Sequence, residues 1–476
     1  MIMRLNLFSE EERQRIHGRI LDVLQDVGVK FGSIQALEIL GDAGCEVDKE
    51  ELSAKIPPRL VEKALETVPR SFRLAARDPE KDVIYGEGGP YFLSAAQSVF
   101  YRDLETRERR VATLEDLTHV TILCDALDEI DLFCPMIAPN DVHPYMRGLR
   151  AGQVAFHNTD KHIVGGVGAL ETLPYHLEIW DAILGDRARL KERPMMTHII
   201  NDVSPLQKDG NLVDVTLALS DYQFPILLYY MPMAGSTAPV TLAGTLIEMT
   251  ANMLASVVLY QLIQPGWPII WGAGPGTLDM KSGRFAGGAE AALISIGQVE
   301  LAQFYGLPSM SGWIGSYESK EVDFQSGMDA TLGVVPVILA GADGIWGPGD
   351  LDGSNLVDLP YVLVGTELVQ QLKRLKRGIA FDDEHFLFDV IAKMRFQGDY
   401  LADPSTKKYF RQEHLLPNLF PRESYESWEA RGQTEEEMAL ARVQQILKTH
   451  QPTPLPDEVG KEIDRIINAA EEALTN

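Results

Sequence analysis

The chain has little of what marks the commoner enzyme chemistries. Only three cysteines occur in 476 residues, Cys45, Cys124 and Cys134, far apart and in no CxxC pair. That argues against a disulfide framework and a cysteine-ligated zinc, and suits reduced thiols in a cytoplasmic protein. The ten histidines are scattered, with no HExxH run and no HxH at an expected strand end, so no metal site is expected. A GxSxG elbow is missing, as is a GxGxxG turn opening a helix. Gly272 to Gly276 contains Pro275 and no GK[ST] follows it, which separates it from a phosphate loop. Positive charge is scarce: 43 Lys and Arg stand against 69 Asp and Glu, giving a net charge of −26 and a pI near 4.8. Nucleic acid and anionic membranes are therefore poor partners. The longest apolar run, Leu242 to Leu262, is interrupted by Glu248, Thr250, Asn252 and Gln261, so it reads as a buried helix rather than a membrane span. Met1 to Arg4 leads straight into an acidic helix capped by Ser9 and Glu12, and no signal peptide is expected.

What is present is alternation. Tyr91 to Ala95, Ile130 to Pro135, His162 to Gly165, Met195 to Ile200, Phe224 to Met231, Pro268 to Trp271, Leu307 to Trp313 and Gly344 to Trp346 read as strands separated by helices. Eight such units predict an α/β protein, a (β/α)8 TIM barrel, in preference to a doubly wound open sheet. Residues 1–90 form an N-terminal helical segment with a small strand element, 91–380 the barrel, and 381–476 a C-terminal helical extension packing on the barrel or a neighbouring subunit. Self-association into a homo-oligomer is expected of such additions.

In a barrel the site lies at the carboxyl ends of the strands. The residues that fall there are Gln97, His198, Tyr229, Tyr230, Trp271, Trp313, Tyr317 with Glu318, and Trp346. Three successive strands end in tryptophan, and aromatic faces attract weakly hydrated cations, quaternary ammonium groups above all. The rings are therefore expected to form a cage. Tyr229 and Tyr230 point to opposite sides of one strand, so at most one joins it. Glu318 is the catalytic candidate, as an acid, as an anchor for a cation, or as no more than a solvated loop charge. Lys320 and Asp323 read as a pair capping the next helix. The glycines of Gly272 to Gly276 read as letting the backbone approach a substrate or a partner protein. Asn158 to His162 falls at the amino end of its strand and reads as structural.

Several runs in order, Pro239-Val240-Thr241-Leu242-Ala243-Gly244, Pro265-Gly266, Tyr305-Gly306-Leu307-Pro308, Glu318-Ser319-Lys320 with Asp323 and Gln325, and Leu339-Ala340-Gly341-Ala342, resemble the trimethylamine methyltransferase family. The resemblance implies transfer of a methyl group from a methylated amine to the Co(I) corrinoid of a separate corrinoid protein, with no cofactor bound directly. The best-known members carry pyrrolysine in or near the segment here reading Ser316 to Lys320. Ordinary residues there place this chain with the branch whose members act on quaternary amines such as glycine betaine. Relatives often have glutamate where this chain has Met253, and betaine-type relatives often have histidine where it has Trp346. Both departures imply a less polar pocket, suited to a bulkier quaternary ammonium or a sulfonium. Two other classes remain open: a barrel enzyme passing methyl groups directly to a folate, and a cytoplasmic binding protein without catalysis.

Overall fold

Eight parallel strands make up the central sheet: β1 (Tyr91–Phe92), β2 (Leu132–Phe133), β3 (His162–Gly165), β4 (Met196–Asn201), β5 (Ile226–Tyr230), β6 (Ile269–Ala273), β7 (Ser309–Trp313) and β8 (Gly344–Trp346). Their order is β1-β8-β7-β6-β5-β4-β3-β2, and a parallel bridge between Leu93 and Leu132 joins the two edges. The sheet is thus a closed cylinder, the (β/α)8 barrel that the alternation predicts. The computed structural model describes residues 4–95, 97–185, 189–396 and 398–475.

A helix follows each strand: α1 (Leu114–Asp125), α2 (Arg147–Asn158), α3 (Leu173–Leu184), α4 (Gly210–Ala218), α5 (Leu242–Ile263), α6 (Gly288–Tyr305), α7 (Phe324–Ala340) and α8 (Leu359–Arg377). Their starts carry the expected signals. Thr113 and Asp116 form a capping box on α1, and Thr241 caps α5. Helix α5 has the length and composition of a membrane span, yet 78% of its apolar window is buried inside the protein. Its side chains, with Trp267 and Trp271, fill the layer between the strands and the N-terminal segment.

Strand alternation sorts the core into two shells. Leu132, Val164, Leu227, Ile270 and Met310 point inward and fill the barrel. Their neighbours Ile163, Leu228, Trp271 and Ile345 point outward to the helices. The amino end of the cylinder is stoppered by a hairpin, Phe72–Leu74 with Val83–Tyr85. Tyr85 donates to the Ser309 carbonyl at 3.0 Å. His162 bridges the Ala75 carbonyl and the Thr197 hydroxyl, each at 2.8 Å. Lys161 donates to the carbonyls of Cys124 and Leu127 at 2.6 and 2.7 Å. The Asn158 to His162 run therefore ties loops together at the end of the barrel away from the mouth.

Two small sheets rise over the carboxyl end. One joins Met233–Ala234, Gly276–Leu278 and Phe285–Ala286; the other joins Asp350–Leu351, Leu356–Val357, Phe100–Arg102 and Arg109–Val111. They narrow the opening and carry side chains into it. In the C-terminal extension, helices Glu435–Thr449 and Asp457–Leu474 bury Val443, Ile463, Ile466 and Ile467 against α1, α2 and α3.

Candidate active site

A cavity of about 620 Å³ opens at the carboxyl end of the strands. It is walled by rings from three strands and their loops. Tyr229 from β5 meets Trp346 from β8 edge to face, with centroids 5.1 Å apart. Trp313 from β7 meets Tyr317 in the same way at 4.8 Å. Phe285 stacks on Tyr317 at 5.6 Å. All five rings line the cavity, together with Gln97, Cys134, Asn201, Ser295, Asp329 and Ser354.

Glycines make room for these rings. A Cβ on Gly274 would fall 2.4 Å from the Tyr229 hydroxyl, and one on Gly276 would fall 2.3 Å from the Phe285 ring. Gly287 and Gly315 stand in the same relation to Tyr317 and Trp313, at 2.2 and 2.0 Å. The glycine-rich stretch after β6 thus admits aromatic side chains of the chain itself. The expected close approach of a substrate or partner is not what sets those two glycines.

The aim of Trp313 has a separate cause. Met310 faces inward, and strict alternation would turn residue 313 outward. The pairing of β7 with β8 shifts register between Met310 and Trp313, and Gly312 within the shift has φ +79°. A bulge of this kind re-aims the next side chain, and here it turns the indole into the cavity.

The remaining candidates lie elsewhere. Trp271, expected in the cage, faces outward from β6, is fully buried, and packs on Tyr305 of α6 at 6.0 Å. No bulge precedes it, so alternation holds and Ile270 takes the inner position. Tyr230 also faces outward and donates to Glu248 at 2.7 Å, which leaves Tyr229 as the member of the pair that reaches the cavity. His198 sits on the outer face of β4, 3.2 Å from the Thr216 hydroxyl of α4. Burial lowers its pKa to about 4, with His176 adding to the shift. It is neutral and does not line the cavity. Met253 is wholly buried on α5 in the outer core, so its difference from glutamate does not alter the pocket wall.

Glu318 is half-buried beside Tyr317 but outside the cavity lining, and its Oε1 has no hydrogen-bond partner among the described residues. Asp323 caps α7 through Ser326 as expected, but Lys320 pairs with Asp352 at 3.5 Å, not with Asp323. Composition alone did not mark Asp329, Asn201 or Phe285. Asp329 stands two turns into α7 and accepts a 2.6 Å hydrogen bond from Ser316. Nothing in the periodicity of α7 separates it from a solvated carboxylate.

Burial sets the chemistry of the wall. It raises the Tyr229 phenol well above its ordinary range, with Tyr317 and Asp350 adding to the effect. It pushes the Tyr317 phenol up to about 12, with Asp329 contributing, and the Cys134 thiol likewise to about 12. These groups stay protonated near neutrality and offer no general base or thiolate. No group of three or more metal donors occurs among the described residues. The cavity can hold a cation against aromatic faces and shield it from water, and its phenols and thiol are held protonated.

Comparison with known proteins agrees with this barrel. The family model for trimethylamine methyltransferase (MTTB) matches residues 1–474. The trimethylamine methyltransferase MttB of Desulfitobacterium hafniense (strain DSM 10664 / DCB-2) is 32% identical over 469 residues, covering 98% of this chain and 94% of that protein. The glycine betaine methyltransferase of Desulfitobacterium hafniense (strain Y51) is 30% identical over 470 residues, covering 98% and 97%. Among solved structures, the Methanosarcina barkeri monomethylamine methyltransferase (MtmB) superposes with a TM-score of 0.56 over 98% of this chain and 88% of that one, at 11% identity. The last likeness concerns the fold alone. Matched from end to end by the family model and by relatives of nearly equal length, the chain belongs to the trimethylamine methyltransferase family.

Proposed function

We propose that the protein takes a methyl group from a quaternary amine of glycine betaine-like size and delivers it to the corrinoid of a separate cytoplasmic protein. The observation that carries this reading is the cage: Tyr229, Trp313, Tyr317 and Trp346 converge on one cavity at the mouth of a barrel from a methylamine methyltransferase family. A quaternary nitrogen cannot accept a hydrogen bond or be protonated, so aromatic faces are the natural way to hold it. Once its methyl carbon is attacked it departs as a neutral tertiary amine and needs no proton from the wall. That suits walls whose phenols and thiol are held protonated. The rings fix the nitrogen, turn one methyl toward the opening and exclude water. The partner's corrinoid would supply reduced cobalt as the attacking nucleophile.

Glu318 is proposed as an electrostatic anchor near the mouth, its Oε1 without a hydrogen-bond partner among the described residues. Exposed Phe381, Phe388 and Phe396 in the C-terminal extension provide apolar surface for self-association. The deciding experiment mixes the purified protein, a cognate corrinoid protein reduced to Co(I), and a quaternary amine. Methylation of the corrinoid matched by equimolar demethylated amine is the expected result. Tight binding of the amine with no transfer would leave a binding protein, and transfer to a folate without any corrinoid protein would indicate the folate enzyme.

A further inference from the structure

Every formal charge at the cavity wall is negative. Asp329 lines it, half-buried, with one carboxylate oxygen held by Ser316. Behind the wall, Asp350 is fully buried and accepts from Ser98 at 3.3 Å and from Ser354 at 2.9 Å. Ser354 itself lines the cavity. No lysine, arginine or histidine does so among the described residues. Arg284 and Lys320, whose chain neighbourhoods approach the mouth, are both drawn to Asp352, at 2.7 and 3.5 Å.

The donors that remain are neutral: the amides of Gln97 and Asn201, the hydroxyl of Ser295 and the protonated phenols of Tyr229 and Tyr317, while the Ser354 hydroxyl is given to Asp350. The indole N–H groups of Trp313 and Trp346 meet no acceptor among the described residues. The amino end of α6 also borders the cavity through Gly288, but Glu290 in the first turn already opposes its positive end. A ligand carboxylate placed here would lose water and meet no counter-charge, which is costly. A second anionic group beside Asp329 would be repelled.

We infer that Asp329, backed by Asp350, makes the cavity select methyl donors with a net positive charge, a quaternary ammonium or sulfonium with an uncharged tail, over zwitterions carrying a carboxylate. The inference rests on the quaternary-amine reading and narrows its substrate class. The decisive probe pair is glycine betaine and its methyl ester, which share the trimethylammonium head and differ in the charge of the tail; choline is the third ligand. Titration calorimetry on the wild-type protein should show the ester and choline binding about tenfold or more tightly than betaine. Asp329→Asn should weaken the two cations about tenfold and move betaine by less than threefold, so that the preference collapses. Equal binding of betaine and ester by the wild type overturns the inference, and because no variant is involved, misfolding cannot excuse it. A uniform loss for all three ligands in Asp329→Asn, alongside unchanged Asp329→Glu, overturns it as well. Failure of all three to bind would instead sink the cage, while discrimination without methyl transfer would sink only the reaction.

Discussion

Trp346 and Trp271 read alike in the sequence as strand-end tryptophans, but on β8 and β6 they meet different surroundings. Trp346 looks inward at Tyr229; Trp271 looks outward at Tyr305. Replacing Trp346 by leucine keeps an apolar side chain but removes a ring face from the cage. Binding of a quaternary ammonium should weaken by roughly 1–2 kcal/mol, about 5–30-fold, as read by titration calorimetry. Trp271→Phe should leave that affinity within twofold and lower unfolding stability instead, by roughly 1–3 kcal/mol, as read by urea denaturation. Unchanged affinity in Trp346→Leu, or a large loss in Trp271→Phe, would mean that inward and outward faces have been assigned the wrong way round. The sequence marks both residues as strand-end tryptophans, and spacing separates Tyr229 from Tyr230 only as opposite faces. It does not say which face is the inner one. That choice depends on which residues of each strand the closed cylinder turns inward, a property of eight strands at once.

Strand β7 shows what an element adds to its residues. The bulge at Gly312 reverses the face that Trp313 presents. A Cβ on Gly312 would lie 2.9 Å from the Gly333 carbonyl and 3.3 Å from Val337, and φ +79° disfavours any L side chain. Gly312→Ala should therefore cost about 2 kcal/mol of stability and lower ligand affinity further by disturbing Trp313, seen as a change in its fluorescence on ligand addition. Gly327→Ala supplies the comparison. That glycine lies in the exposed first turns of α7 with nothing within 4 Å of an added Cβ, so the change should stabilise by about 0.5–1 kcal/mol and leave binding alone. The barrel strands, the capped helices and the core helix α5 could be read directly from periodicity and end signals. The bulge could not, because a glycine one residue before a strand end has no local signature that separates it from a turn. Asp329 was missed for a related reason: it is the one carboxylate within α7, and whether it faces the cavity or solvent depends on how the helix sits beside the mouth.

At the scale of the whole molecule, acid should act through buried histidines of the barrel strands and helices before it acts on the site. His162, His176 and His198 are all buried, and burial lowers each pKa to about 4. In the unfolded chain each titrates near 6.5. Between these two values the unfolded state binds the proton and the folded state does not, so stability falls as pH drops from about 6.5 toward 4. Buried carboxylates such as Asp202 and Asp343, whose pKa values burial raises, act in the opposite sense, so the net slope of the wild type mixes both. A single variant separates them. His176 packs on Trp180 at 5.7 Å, its Nε2 has no partner among the described residues, and its titratable neighbour in the wall is the neutral His198. His176→Leu removes the titrating group from apolar surroundings at little cost in packing. At pH 7 its stability should match the wild type within about 1 kcal/mol. At pH 5 the wild type alone carries the unfavourable protonation balance over about 1.5 pH units, and the variant should be more stable by about 2 kcal/mol. Urea midpoints at the two pH values measure the difference. Parallel loss in both proteins would show that His176 is not held neutral, and that acid enters the molecule through its excess of surface carboxylates instead.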